Sequence, residues 1–207
     1  MAITFPTILP TVTGIRSITL RARNVTARSG SPFTLKQQIV SHPGQRWEAE
    51  VSLPPMARAA GEEWVAFMVA QYGGAGTFLM GDPLGATPRG VGGGTPVING
   101  AGQTGGSVSV GGGPNSQTGW LLMGDYIQLG TGATTTLHKV LTDANTSAGG
   151  VAALDVWPWL RTAPADGAAV VVSNAVGRWR MATSEAEWDV STMRTYGITF
   201  AAIEALT

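Results

Sequence analysis

The sequence predicts a mainly β protein: a discontinuous β domain with one α-helix, into which a small OB-like β-barrel is inserted. Three observations carry this prediction. Apolar and polar residues alternate with period two near both chain ends, the mark of half-buried strands. One stretch, Met56 to Tyr72, spaces its apolar residues as a helix does. After it, Gly81-Asp82-Pro83-Leu84-Gly85-Ala86-Thr87-Pro88-Arg89-Gly90 sets two prolines in a glycine frame. Each proline fixes its own φ and pushes the preceding residue out of helical geometry, so regular structure stops there and a hinge or domain exit is expected. Beyond it come small residues and short Val/Thr/Leu runs, until charge interleaved with tryptophan returns at Arg178-Trp179-Arg180. The expected division is an outer domain of residues 1–85 and 173–207 around an insert of residues 86–172. Because Gly- and Pro-rich chain leads into the insert, the insert is expected to be separable.

In chain order, Ile15 to Arg28 reads as the first strand, with Ile18, Leu20 and Ala22 on one face and Arg21 and Arg23 on the other. Phe33, Leu35 and Ile39 mark a second strand after which Ser41-His42-Pro43-Gly44 reads as a turn. Trp47, Ala49, Val51 and Leu53 mark a third, with Glu48 and Glu50 on its opposite face. Pro54-Pro55 ends it. In the helix, Ala60, Trp64, Phe67, Met68 and Tyr72 form the buried stripe, Glu62 and Glu63 form a solvated edge, and Gly73-Gly74 supplies the stop. Within the insert, Tyr126 to Leu129, Thr134 to Leu141, Val151 to Val156 and Ala168 to Val172 are short runs separated by glycine-rich turns, and about five such strands make an OB-like barrel. Arg178 to Met181 is strand-like, and Tyr196, Ile198, Phe200 and Ala202 alternate into a closing strand that rejoins the opening ones.

Composition narrows the function. With 13 basic and 13 acidic side chains, the chain carries no net positive charge with which to hold nucleic acid or an anionic membrane. Arginine outnumbers lysine 11 to 2, a bias that suits interfacial ion pairs. Residues 1–60 hold seven basic and two acidic side chains, so Arg21 and Arg23 either face an acidic partner or pair with Glu48 and Glu50 across the sheet. Without cysteine there is no disulfide, thiolate nucleophile or Cys-based metal site. Met1 to Pro10 lacks the pattern of a signal peptide, and no apolar run is long enough to cross a bilayer, so neither export by a signal peptide nor membrane insertion is expected.

The motifs that suggest chemistry do not hold up. Gly100-Ala101-Gly102-Gln103-Thr104-Gly105 matches G-x-G-x-x-G, but Gly106-Ser107-Val108-Ser109-Val110 follows it where a dinucleotide site needs a helix. His138 has no second histidine or carboxylate at ligand spacing. Glu62 and Glu63 diverge on their helix by about 100°, too far to share a site. Neither catalysis nor a cofactor or metal is expected. Trp157-Pro158-Trp159 is the best binding candidate. Proline within a strand points to a sheet edge, where Trp157 and Trp159 pack side by side, against the barrel or a protein partner. The alternative is a carbohydrate-binding β module that uses the same two rings for host-surface adhesion.

A family resemblance supplies the function. The order of Arg46-Trp47-Glu48-Ala49-Glu50-Val51-Ser52-Leu53-Pro54-Pro55, a helix, Thr77-Phe78-Leu79-Met80-Gly81-Asp82-Pro83 through Thr87-Pro88-Arg89-Gly90, Val97-Ile98-Asn99-Gly100-Ala101-Gly102-Gln103-Thr104-Gly105, Gly124-Asp125-Tyr126-Ile127-Gln128-Leu129 and Tyr196-Gly197-Ile198-Thr199-Phe200 resembles the distal tail proteins of long-tailed, siphovirus-like bacteriophages and related prophages. The likeness runs from about Thr34 to the end. It implies a structural virion protein of the tail tip, assembled in the host cytoplasm as a ring of six copies that joins the tail tube protein to the baseplate hub protein. It further implies a β-sandwich belt domain with an outward-facing β domain, and a lumen through which the tape-measure protein and then DNA pass. Arg21, Arg23, Trp157 and Trp159 are the candidate interaction residues.

Overall fold

The computed structural model describes residues 3–192 and 195–206, so the domain limits expected at Met1 and Thr207 lie outside the described residues. The chain forms β1 (Thr7–Ile8), β2 (Ser17–Gly30), β3 (Gln37–Ser52), β4 (Met56–Ala57), the helix α1 (Arg58–Ala70) and β5 (Phe78–Met80). There follow β6 (Val97–Ile98), β7 (Gly105–Gly111), β8 (Tyr126–Leu129), β9 (Thr136–Val140), β10 (Ala152–Leu160) and β11 (Val170–Val171). The last segment gives β12 (Gly177–Met181), β13 (Asp189–Val190), β14 (Thr195–Gly197) and β15 (Thr199–Glu204). The protein is mainly β, with one α-helix among the described residues, as the sequence predicts.

These strands build three sheets. A mixed six-stranded sheet runs β1-β5-β12-β15-β3-β2, a small one runs β13-β14-β4, and a second six-stranded sheet, antiparallel throughout, runs β11-β8-β9-β10-β7-β6. The antiparallel sheet curls until its outer strands meet. Val97 bridges Ala169, the Ile98 N–H donates to the Ala168 carbonyl at 2.8 Å, and the Val170 N–H donates to Pro96 at 2.9 Å. Closure satisfies edge groups that would otherwise face solvent, and the result is a nearly closed six-stranded barrel.

Two apolar clusters fill the molecule. Val51, Trp64, Phe67, Phe78 and Phe200 belong to a cluster formed by the mixed sheet and α1, which Trp47 continues toward Tyr126 and Leu137 of the antiparallel sheet, while Ile98, Val110, Trp120, Ile127, Leu154 and Val156 fill the barrel. Strand phase explains both sets. Trp47, Ala49 and Val51 are buried while Glu48 and Glu50 face outward, and along β10 Ala152, Leu154 and Val156 are buried while Ala153 and Asp155 are exposed.

Several elements depart from the sequence-based expectation. Phe33, Leu35 and Ile39 do not form a separate second strand: β3 is continuous from Gln37, pairs with β2 at fourteen positions, and leaves Phe33 and Leu35 in the turn between them. Ser41-His42-Pro43-Gly44 is no turn but a β-bulge, because pairing steps from Asn24–Gln45 to Val25–His42 and leaves Pro43 and Gly44 over. Tyr72 leaves the helical stripe and is exposed, since the backbone turns left-handed at Tyr72, Gly73 and Gly74. The C-terminal alternation is buried as expected at Tyr196, Ile198, Phe200 and Ala202, but it crosses from β14 in the small sheet to β15 in the large one.

The glycine-rich stretch is pinned rather than slack. A methyl group at Gly81 would overlap the Ala175 carbonyl oxygen, and one at Gly90 would overlap that of Trp120. The buried Asp125 carboxylate accepts backbone N–H groups from Arg89 (2.7 Å), Gly90 (3.1 Å) and Leu122 (2.8 Å), and the Asn174 N–H donates to Ala86 at 2.6 Å. The expected hinge is therefore a clamped crossing, with outgoing and returning chain bonded together. Gly100 to Thr104 is the turn between β6 and β7. The Gln103 side chain closes it by donating to the carbonyls of Asn99, Gly100 and Ser109.

Candidate interaction surface

The solvent face of β2 and β3 carries the two arginines. Arg21 pairs with Glu50 at 2.9 Å and Arg23 with Glu48 at 3.1 Å, each diagonally across the strands, while Arg46 reaches Glu48 at 2.8 Å from the same strand. Hydrogen bonds from Arg46 and then Arg23 hold the Glu48 carboxyl below its ordinary pKa. Of the two readings the sequence leaves open, the structure places both arginines in cross-strand pairs. These pairs are exposed and so contribute little to stability, but they fix the rotamers of a mixed-charge face.

Trp157 and Trp159 lie elsewhere, where the barrel meets the mixed sheet. They are not on a sheet edge: β10 has β9 on one side and β7 on the other. Pro158 is accommodated because β10–β7 pairing is interrupted between Asp155 and Leu160, so no ladder bond needs its missing N–H. The Trp157–Pro158 peptide is cis. Trp157 meets Trp47 edge-on at 4.5 Å between ring centroids and donates from Nε1 to Asn24 Oδ1 at 2.7 Å. Trp159 is 40% exposed and lies over Gly106, while its backbone N–H donates to Gln45 Oε1 at 2.7 Å. The two rings thus have different surroundings, and Trp157 is taken up by contacts within the chain.

The same seam holds groups that sequence reasoning did not single out. Trp47 donates from Nε1 to the Leu137 carbonyl at 3.0 Å and from its backbone N–H to Glu204 Oε2 at 2.9 Å. Arg161 forks onto the buried Glu204 carboxylate with two bonds of 2.8 Å and also donates to the Gln45 carbonyl. Tyr126 and Leu137, both from the barrel sheet, belong to the cluster that contains Trp47. Burial raises the Tyr126 phenol, with Asp82 adding to the effect, and burial lowers the Lys139 ammonium, which stands 4.0 Å over the Tyr126 ring. Gln45 and Glu204 did leave a signal, since each is a polar residue in the core-facing phase of its strand.

His138 is buried at this junction. Its Nδ1 lies 2.7 Å from the Pro158 carbonyl and its Nε2 lies 3.0 Å from the Thr136 hydroxyl, an arrangement met by the neutral ring with the proton on Nδ1. Burial lowers its pKa from 6.5 to about 4. Unfolding exposes the ring and restores the higher value, so between these limits the unfolded chain binds more protons. His138 therefore stabilises the fold fully above about pH 6.5, and that contribution falls away as pH drops toward 4. Thermal melts from pH 7 to 4 are expected to lose on the order of 3 kcal/mol through this residue, and His138→Gln should flatten the profile. Identical pH slopes for the two proteins would overturn the assignment.

Neither a protein-family model nor a curated protein sequence matches this chain.

Proposed function

We propose that this protein is a structural subunit of a bacteriophage tail that assembles into a closed ring at the distal end, between the tail tube protein and the baseplate hub. The motif order from Arg46 to Phe200 motivates the reading. One structural observation supports it: the mixed sheet ends in β2, fourteen residues long, whose outer side pairs with no strand among the described residues. A long open edge is a template for association, and a protein that works alone usually covers or interrupts it. Arg21 and Arg23, held by Glu50 and Glu48, set a mixed-charge face beside that edge. Copies that meet through unlike surfaces related by rotation must close, or they grow into filaments. Six copies would close the ring, and its lumen would pass the tape-measure protein and DNA to a tail tip built in the host cytoplasm. No cofactor takes part in this role.

Sedimentation and electron microscopy over a wide concentration range, with and without a tail tube protein, are expected to show closed rings. Monomers alone under every condition would overturn the proposal. The sugar-binding alternative finds less support, because Trp157 is committed to Trp47 and Asn24 and leaves no open platform of two rings.

A further inference from the structure

The β2–β3 hairpin continues far past the body of the molecule. From Arg21 to Gly44 every described residue is exposed except Ser31, which is half-buried. Pairing nonetheless runs on to Gly30 and Gln37, so the hairpin forms an arm whose seven paired positions beyond Arg23 span about 23 Å. Its tip is apolar. Phe33 is 93% exposed, Leu35 80% and Ile39 59%. The turn is held in one shape by bonds from the Ser31 N–H to the Lys36 carbonyl (2.9 Å) and from the Leu35 N–H to the Ser31 carbonyl (3.0 Å). Leu35 itself has φ +56°, a conformation uncommon for leucine that is imposed by the turn. Arm residues 24–45 include Arg28 and Lys36 and no acid. A fixed, basic turn that exposes large apolar side chains is costly to leave in water and suited to docking.

A complementary surface lies on the same chain. Beside α1 and β15 there is a groove of about 400 Å³ whose apolar lining includes Met68, Val69, Met181 and Phe200. Val69 is 54% exposed. The groove's rim carries Glu185 and Glu187, both exposed, and no lysine or arginine occurs among its described lining residues. We infer that the β2–β3 arm of one copy docks into this groove on the next copy, with Phe33 and Leu35 against the apolar lining and Arg28 and Lys36 facing Glu185 and Glu187. This inference rests on the ring reading above and specifies its contact. The two surfaces are unlike, so each copy offers one arm and one groove, which is the heterologous arrangement a closed ring requires. Charge complementarity makes a second copy the fitting occupant and sets the register of docking.

The test is made on the full chain. Phe33→Asp with Leu35→Asp removes the tip, and Glu185→Lys with Glu187→Lys reverses the rim. All four residues are exposed, so both variants should keep the wild-type circular dichroism spectrum and melting temperature. By sedimentation each variant alone is expected to be monomeric where the wild type forms rings. Mixed together they should give dimers and no larger species, because one intact arm meets one intact groove. Arg28→Glu with Lys36→Glu, combined with the reversed rim, should restore rings. Because the chain has no cysteine, an equimolar mixture of Leu35→Cys and Val69→Cys proteins should form intermolecular disulfides on oxidation. Rings that persist in both variants would overturn the arm contact and leave the ring reading standing. Wild-type protein that is monomeric throughout, with and without the tube protein, would overturn both. Rings lost on removing the tip but neither restored by charge exchange nor cross-linked would mean that the arm docks elsewhere, on another protein or another face, and would overturn the groove as its site.

Discussion

Replacing Glu204 by glutamine is expected to cost about 3 to 5 kcal/mol of stability, because it strips the charge from a buried carboxylate that answers a guanidinium. Glu204 takes two bonds from Arg161 and one from the Trp47 backbone, and Arg161 crosses from the end of β10 to reach it. Glutamine keeps the shape but turns one acceptor into a donor, which then faces either Arg161 or the Trp47 N–H with no bond to make. For a chain of this length the loss should lower Tm by roughly 10 °C. Replacing Arg161 and Glu204 together by apolar residues should cost less than the two single changes added, since neither partner is then left as an unanswered buried charge. A Tm within about 2 °C of wild type for Glu204→Gln would show that the pair is solvated in solution and does not hold the seam.

The parts of this fold that sequence made legible are those where one face of an element is buried and the other wet. Ile18 and Leu20 alternate with Thr19 and Arg21 because the strand there lies on the core, and the period reads directly as a strand, although Ala22, in the same phase, is already exposed. From Arg21 on both faces of the same strand meet solvent, the alternation loses its meaning, and the arm vanishes from the pattern although its backbone is regular. His42-Pro43-Gly44 then looks like a chain reversal, whereas the reversal comes at Ser31 to Lys36. A proline in a strand indicates an edge only if the ladder is unbroken, and the interrupted pairing beside Pro158 removes that premise. The candidate residues divide in the same way. Pairing of Arg21 and Arg23 with Glu48 and Glu50 is one of the two readings open to the sequence because cross-strand neighbours follow from local spacing, but the partners of Trp157 and Trp159 lie more than a hundred residues away in sequence. No local pattern states that contact. What was readable is that Gln45 and Glu204 occupy core-facing positions, where a polar side chain requires a partner.

That seam also governs what happens when residues 86–172 are replaced by a short Gly/Ser link. The Gly- and Pro-rich approach argues for a clean excision that leaves the remaining fold and its self-association in place, but the contacts argue otherwise. Excision removes Leu137, which accepts the Trp47 Nε1 proton, removes Trp157 and Tyr126 from the faces of the Trp47 ring, and removes Arg161 from Glu204. It leaves a tryptophan that is 4% exposed in the whole chain open to water, beside a carboxylate without its cation. Uncovering a large aromatic side chain costs about 2 to 3 kcal/mol in apolar burial alone, and the uncompensated charge adds a comparable amount, together a large share of the stability of a typical domain. The excised protein is therefore expected to aggregate or melt far below the parent. The same excision with Trp47→Thr and Glu204→Thr should recover solubility, because neither an apolar ring nor an unpaired charge is then left on the new surface. Far-UV circular dichroism, scattering and thermal melts of the three proteins decide it. An excised protein that keeps Trp47 and Glu204, stays soluble and melts cooperatively near the parent temperature would show that the mixed sheet and α1 stand without the barrel, and that the seam is a contact rather than a shared core.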